Sequence, residues 1–175
     1  MKNLDSQASL FVNYIFQTKE QDSALRARLR NAFVPLRESQ AWFDVANFCD
    51  ISNEKERKIY LLIGYAIAHD LANVNGVIPI GKAILESWKE KSVRDSSVDI
   101  NNPGAMRLRK LIACSNVLDL CEKLRPIIRT IQSRGFETIN YAELLTDLLI
   151  FEHKPNFVKT KWAKNFFDSA SGEKK

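Results

Sequence analysis

Apolar positions recur along this chain at intervals of three and four, the repeat of one helix face, and few stretches alternate apolar and polar residues as strands do. The pattern predicts helices over residues 5–17, 22–34, 39–49, 54–71, 80–89, 105–115, 117–134, 141–151 and 157–167. In the first, Leu10, Phe11 and Tyr14 are expected inward. Asp22 offers an N-cap to the second, which must stop before Pro35. The third carries Trp42, Val45, Ala46 and Cys49 at i, i+3, i+4 and i+7. The fourth follows the cap candidates Ser52 and Asn53, is apolar on most sides, and reads as the central buried helix. Gly135 is placed to end the seventh, within which Pro126 removes a hydrogen bond and marks a site for a kink or split. The expected fold is all-α, a compact bundle of about seven to nine helices. Residues 1–175 are expected to form one all-helical domain, divisible into N-terminal 1–90 and C-terminal 105–170 helical halves joined by the polar loop "KSVRDSSVDINNPG".

With 175 residues and 45% apolar composition, the chain is long enough for one core. Its longest apolar runs, such as "YLLIGYAIA", fall well short of the roughly 20 residues of a membrane span. "MKNLDSQASLF" sets polar groups where a secretory signal needs apolar ones, so a soluble, cytoplasmic protein without membrane contact is expected. Cys49, Cys114 and Cys121 are odd in number and include no CxxC pair, which favours buried, inert thiols over a disulfide framework or zinc knuckle. His69 and His153 are the only imidazoles and belong to no HExxH, so neither a metal nor another cofactor is expected.

Net charge is +5, and its distribution says more than its total. Residues 24–37 carry +4, residues 105–134 carry +5 and residues 154–167 carry +4; these sum to +13, leaving −8 for the remainder. A surface charged only for solubility has no need of such segregation.

In "ALRARLRNAFVPL" three arginines alternate with other residues. At about 100° per residue, spacing by two makes no helical stripe but spacing by four does. Leu25, Leu29, Ala32 and Phe33 share one arc, Arg26 and Arg30 stack beside it, and Arg28 flanks the other edge. Leu108, Leu111 and Ile112 likewise define an inward arc opposite Arg107, Arg109 and Lys110. Leu120, Leu124, Ile127 and Ile131 point inward with Arg125 and Arg129 stacked at the edge. Val158, Trp162 and Phe166 lie opposite Lys161 and Lys164. Four helices with so few interleaved acids point to phosphate, which arginine binds bidentately with release of counterions. The candidate nucleic-acid-binding residues are therefore Arg26, Arg30, Arg107, Arg109, Lys110, Arg125, Arg129, Lys161 and Lys164. Trp42, Trp88 and Trp162 all stand at core-like spacing, which favours backbone contact over base stacking. The alternative is a helical scaffold whose basic faces dock acidic proteins without touching nucleic acid.

Catalysis finds little support. "GVIPIGKA" approaches the phosphate-binding loop GxxxxGK[ST], but Ala83 replaces the magnesium-binding hydroxyl, bulky apolar residues fill the loop, and no strand precedes it. His69 and Asp70 are adjacent on a helix and diverge, with no nucleophile to complete a triad, so His69 reads as a core histidine. No helix-turn-helix with base-reading side chains stands out.

The series "ALRARLRNAFVP", "IAHD", "GVIPIGKAI", "MRLRKLI", "EKLRPII", "INYAELLTDL" and "VKTKWAKNFF" resembles, over residues 20–167, the CasB family, the small subunit of the type I-E CRISPR surveillance complex Cascade. The resemblance implies an all-helical, non-catalytic subunit present as two copies beside the guide-RNA filament, where basic residues hold the displaced strand and stabilise the R-loop. Its implied partners are guide RNA, target and non-target DNA, other Cascade subunits and a second copy of itself. Arg30 matches the first arginine of the family's Leu-Arg-Arg pattern, with Asn31 in place of the second. Arg107 and Arg125 match arginines before aliphatic pairs and turns. Pro126 stands where relatives are often basic, leaving Arg129 as a substitute, and Lys154, Lys159, Lys161 and Lys164 fall in the variable basic C-terminal region.

Overall fold

A computed structural model describes residues 2–88, 102–135 and 137–171; residues 91–101 of the expected polar loop lie outside the described residues. Among these residues the chain forms nine α-helices: α1 (Lys2–Gln21), α2 (Ser23–Arg30), α3 (Trp42–Val45), α4 (Glu54–His69), α5 (Ile80–Trp88), α6 (Pro103–Ile112), α7 (Val117–Ser133), α8 (Tyr141–Ile150) and α9 (Pro155–Ser171). An isolated parallel bridge joins Ile78 to Ile139.

Local chemistry sets most boundaries. The Asp22 carboxylate accepts from the Leu25 amide, and Asn53 accepts from the Lys55 and Glu56 amides, which caps α2 and α4 at their expected starts. Asn102, Asn116 and Asn140 cap α6, α7 and α8 in the same way. Pro126 neither breaks nor splits α7, because Pro126 and Glu122, whose carbonyl loses its partner, both lie on the exposed side. Gly135 follows α7 with φ 69°. No helix among the described residues is long and apolar enough to cross a membrane.

Two expectations need correction. Leu10 and Tyr14 face outward, while Ala8, Phe11, Val12, Ile15 and Phe16 are buried. Two interleaved i, i+4 series win over the single series through Leu10 and Tyr14, because together they give a wider apolar face. The helix expected over residues 39–49 is a 3-10 turn, Glu38–Ala41, followed by the single α-turn of α3. Ala41 and Val45 are buried there but Ala46 is exposed, so a longer helix would have gained little burial.

At the centre, α4 packs against α1, α2, α3, α7 and α8, while α5 packs against α6, α7 and α9. Gly64 allows α2 to approach α4 closely: a Cβ there would stand 2.9 Å from Leu29 Cδ2. That approach brings the arginines of α2 within reach of the α4 C-terminus. From Ile59 to His69 only Tyr65 and His69 escape full burial. Spaced by one turn, they mark the strip left open along this part of α4.

Candidate nucleic-acid interface

An α-helix ends with carbonyls that lack intrahelical partners and with the negative end of its macrodipole. At the end of α4 these carbonyls gather donors from three other helices. Gln132 Nε2 donates to the Ala66 carbonyl at 2.7 Å. Lys19 Nζ, fully buried, donates to Ile67, Asp70 and Ala72 carbonyls at 3.3, 3.0 and 2.6 Å. Burial lowers the Lys19 pKa, partly offset by Asp70. From α2, Arg26 Nε and Arg30 Nε both donate to the Ala68 carbonyl, at 3.3 and 2.8 Å. A guanidinium has five N–H groups, and anchoring through Nε leaves the two Nη nitrogens of each arginine for an outside ligand.

On the other side of α4, α7 supplies Arg125 and Arg129. Arg125 lies over the Phe33 ring at 4.8 Å and meets Glu122 only at 3.5 Å. Arg129 Nη1 donates to Gln132 Oε1 at 2.8 Å, so the residue that holds α4 also orients this arginine. The like charges feel one another. Desolvation of its inner part, then Arg26 and Arg129, pull Arg30 below its usual pKa. Burial, then Arg129 and Arg30, push His69 down to about 4, so the imidazole at the centre of the group is neutral.

The expected candidates thus divide. Arg26, Arg30, Arg125 and Arg129 converge from two helices on one strip over α4. Arg107 leaves it and lies over the Trp88 ring at 4.4 Å, where Arg134, outside the expected set, lies 5.0 Å from the same ring and donates to the Ser87 carbonyl. Arg109, Lys110 and Lys164 are exposed on α6 and α9. Lys161 departs from the expected outward basic face: it turns back to Glu143 at 2.8 Å and Asp147 at 2.7 Å. The buried Asp147 also accepts from Trp162 Nε1 at 2.7 Å. Arg28 is similarly engaged, with Nε and Nη2 on the two oxygens of the Asp44 carboxylate.

The sequence offered only the tryptophans as stacking candidates, but other aromatic residues lie beside the basic faces. Phe33, Tyr65 and His69 form a ladder under the strip, with centroids 5.3 Å apart for the first pair and 4.6 Å for the second. Tyr65 and His69 at i, i+4, on the face of α4 that also carries Lys58, were the available signal. Trp88 and Trp162 are buried as expected, whereas Trp42 is half-buried beneath Arg57.

The catalytic look-alikes resolve into packing. Gly81 of "GVIPIGKA" lies against the Trp162 backbone, where a Cβ would meet the carbonyl oxygen at 2.2 Å, so that glycine is needed for the fit of α5 on α9. The Asp70 carboxylate accepts from the Ala72 amide and the Tyr141 hydroxyl. Burial raises Cys49 and Cys121 to about 12, leaving them as thiols. Among the described residues no cluster of three His, Cys, Asp or Glu side chains could hold a metal ion.

The family model for CRISPR-associated protein Cse2 matches residues 25–167. No curated protein matches the sequence. Among solved structures, a chain of a CRISPR RNA-guided surveillance complex is similar with a TM-score of 0.73 and 16% identity, covering 98% of this chain and 96% of that one. A chain of such a complex described as pre-nicking gives a TM-score of 0.72 at 16% identity, covering 98% and 99%. The crystal structure of CasB from M. ruber gives 0.66 at 21% identity, covering 95% of each chain. At these identities the structural likeness establishes the fold.

Proposed function

The chain belongs to the CRISPR-associated Cse2 family, and from that premise we propose that it is a non-catalytic small subunit of a Cascade-type surveillance complex that binds nucleic-acid backbone and stabilises the R-loop. The observation that carries this reading is the strip of Arg26, Arg30, Arg125 and Arg129, four cations from two helices that, among the described residues, meet a carboxylate only where Arg125 lies 3.5 Å from Glu122. The fold likeness to chains of surveillance complexes supports it.

In such a complex, guide pairing supplies sequence information, and exchange of one DNA strand for the guide is nearly balanced in free energy. Fixed guanidinium groups on the displaced strand lengthen the open state without reading its sequence, because each bound phosphate releases condensed counterion. Anchoring of Arg26 and Arg30 through Nε lowers the ordering cost of each contact. Guide RNA, both DNA strands, the other Cascade subunits and a second copy of the chain are the partners this role requires.

A salt titration of single-strand binding tests the proposal. The logarithm of the binding constant should fall linearly with the logarithm of salt, with a slope of roughly −0.7 per phosphate contacted. A flat dependence overturns it. Short oligonucleotides that fail to displace an acidic protein partner would favour the scaffold reading instead.

A further inference from the structure

The arginine strip ends at a depression whose lining is not that of a backbone-only surface. A cavity of about 440 Å³ opens beside His69 and Arg129, with Gln132, Ser133, Thr138 and Tyr141 also on its walls. His69 is half-buried there, its ring inclined at 64° to that of Tyr65 with centroids 4.6 Å apart. Deeper in, the donors are already committed. Both N–H groups of Gln132 Nε2 go to the Ala66 carbonyl and the Tyr141 oxygen, and the Tyr141 hydroxyl donates to Asp70.

Resting on the strand-binding reading above, we infer that this cavity takes one unstacked nucleobase from the strand held by the arginines, inserted beside His69 without regard to base identity. Three features lead there. The cavity adjoins Arg129, so a phosphate on that guanidinium places its own base at the mouth. The His69 imidazole is neutral, held down by burial and by Arg129 and Arg30, and so presents a π-face without adding charge to the site. Because the Gln132 and Tyr141 donors are committed to Ala66, Tyr141 and Asp70, that inner wall is not available to read a base edge, and the base is held there by stacking and apolar contact, which tolerate any sequence, with Glu137 and Thr138 among the other polar side chains on the lining.

The test compares two strands of equal length and charge, one with ordinary bases and one abasic throughout, bound to the full chain at fixed salt. The base-bearing strand is expected to bind roughly fivefold to tenfold more tightly. His69→Ala and Ser133→Trp should each bring that ratio toward one. Ser133 lies on the exposed side of α7, where its hydroxyl donates to the Thr130 carbonyl, so Ser133→Trp blocks the cavity from its rim and carries the test if His69→Ala unfolds. Equal binding of the two strands by the parent chain, or a preference that survives both substitutions, overturns base insertion while leaving backbone binding in place. Failure of both strands to bind overturns the strand-binding reading and base insertion with it.

Discussion

The basic faces of α2 and α7 beside α4 and the basic face of α9 began as the same sequence signal, cations opposite an apolar stripe, and the fold treats them in opposite ways. Beside α4, Arg26, Arg30 and Arg129 are held by a carbonyl and an amide, neutral acceptors that fix geometry without removing charge. On α9, Lys161 is held by two carboxylates of α8, one of them buried, and its charge is spent within the molecule. A cation held by carbonyls keeps its field available to a polyanion, and a cation held by carboxylates becomes part of the scaffold. The partner, and not the basic residue, decides which.

The largest effect expected from this contrast is on stability. Asp147→Ala leaves Lys161 and the Trp162 indole N–H without their shared buried acceptor and should destabilise the chain by about 3 kcal/mol, read by thermal or denaturant unfolding. Single-strand affinity of the folded protein should be unchanged. A loss of affinity with stability intact would place α9 in the interface and dissolve the contrast.

The second effect falls on binding. Replacing both Arg30 and Arg129 by alanine should weaken single-strand affinity roughly thirtyfold and reduce the magnitude of the salt slope by about 1.4. The fold should survive, since Gln132 and Lys19 still hold the α4 carbonyls. Lys161→Gln, measured alongside, is expected to leave the slope where it was. A smaller change tests geometry alone: Arg30→Lys keeps the charge but cannot both bond the Ala68 carbonyl through Nε and present a fork, so affinity should drop about threefold.

How far the sequence could see follows from the same distinction. Helical spacing and caps are local, so the start of α2 at Asp22, the burial of α4 and the inward face of α7 were legible. The face of α1 was misread because Leu10 and Tyr14 compete with an overlapping series one residue on, and only packing against α4 and α8 decides between them. Arg26 and Arg30 could be paired by their spacing of four. Their shared acceptor, Ala68, lies far away in the chain and is a backbone atom, which no residue pattern announces. Lys161 could not be separated from Lys164 by sequence, because Asp147 and Glu143 reach it from another helix. Tyr65 and His69 were absorbed into an apolar run whose one open strip appears only when α2 and α7 are set on either side of it.

The finest probe of the contrast is a titration, since burial and charge act together at one site and against each other at the other. At His69, burial lowers the imidazole pKa and Arg129 and Arg30 lower it further, to about 4 from 6.5. At Asp147, burial raises the carboxyl pKa while hydrogen bonds from Lys161 and Trp162 pull it down, and burial prevails. Below pH 6.5 the unfolded chain protonates His69 and the folded chain does not, so His69 subtracts stability progressively as pH falls toward 4 and no further below that. His69→Gln should flatten that part of the pH–stability curve. Salt screens the exposed arginines far more than it relieves burial. Raising salt, or adding an oligonucleotide, should therefore move the His69 pKa upward in an NMR titration, with the exposed His153 as the second imidazole signal. A His69 resonance indifferent to both would mean that burial alone holds it down, that the arginine field over α4 is already cancelled, and that the two regions do not differ in the way their partners indicate.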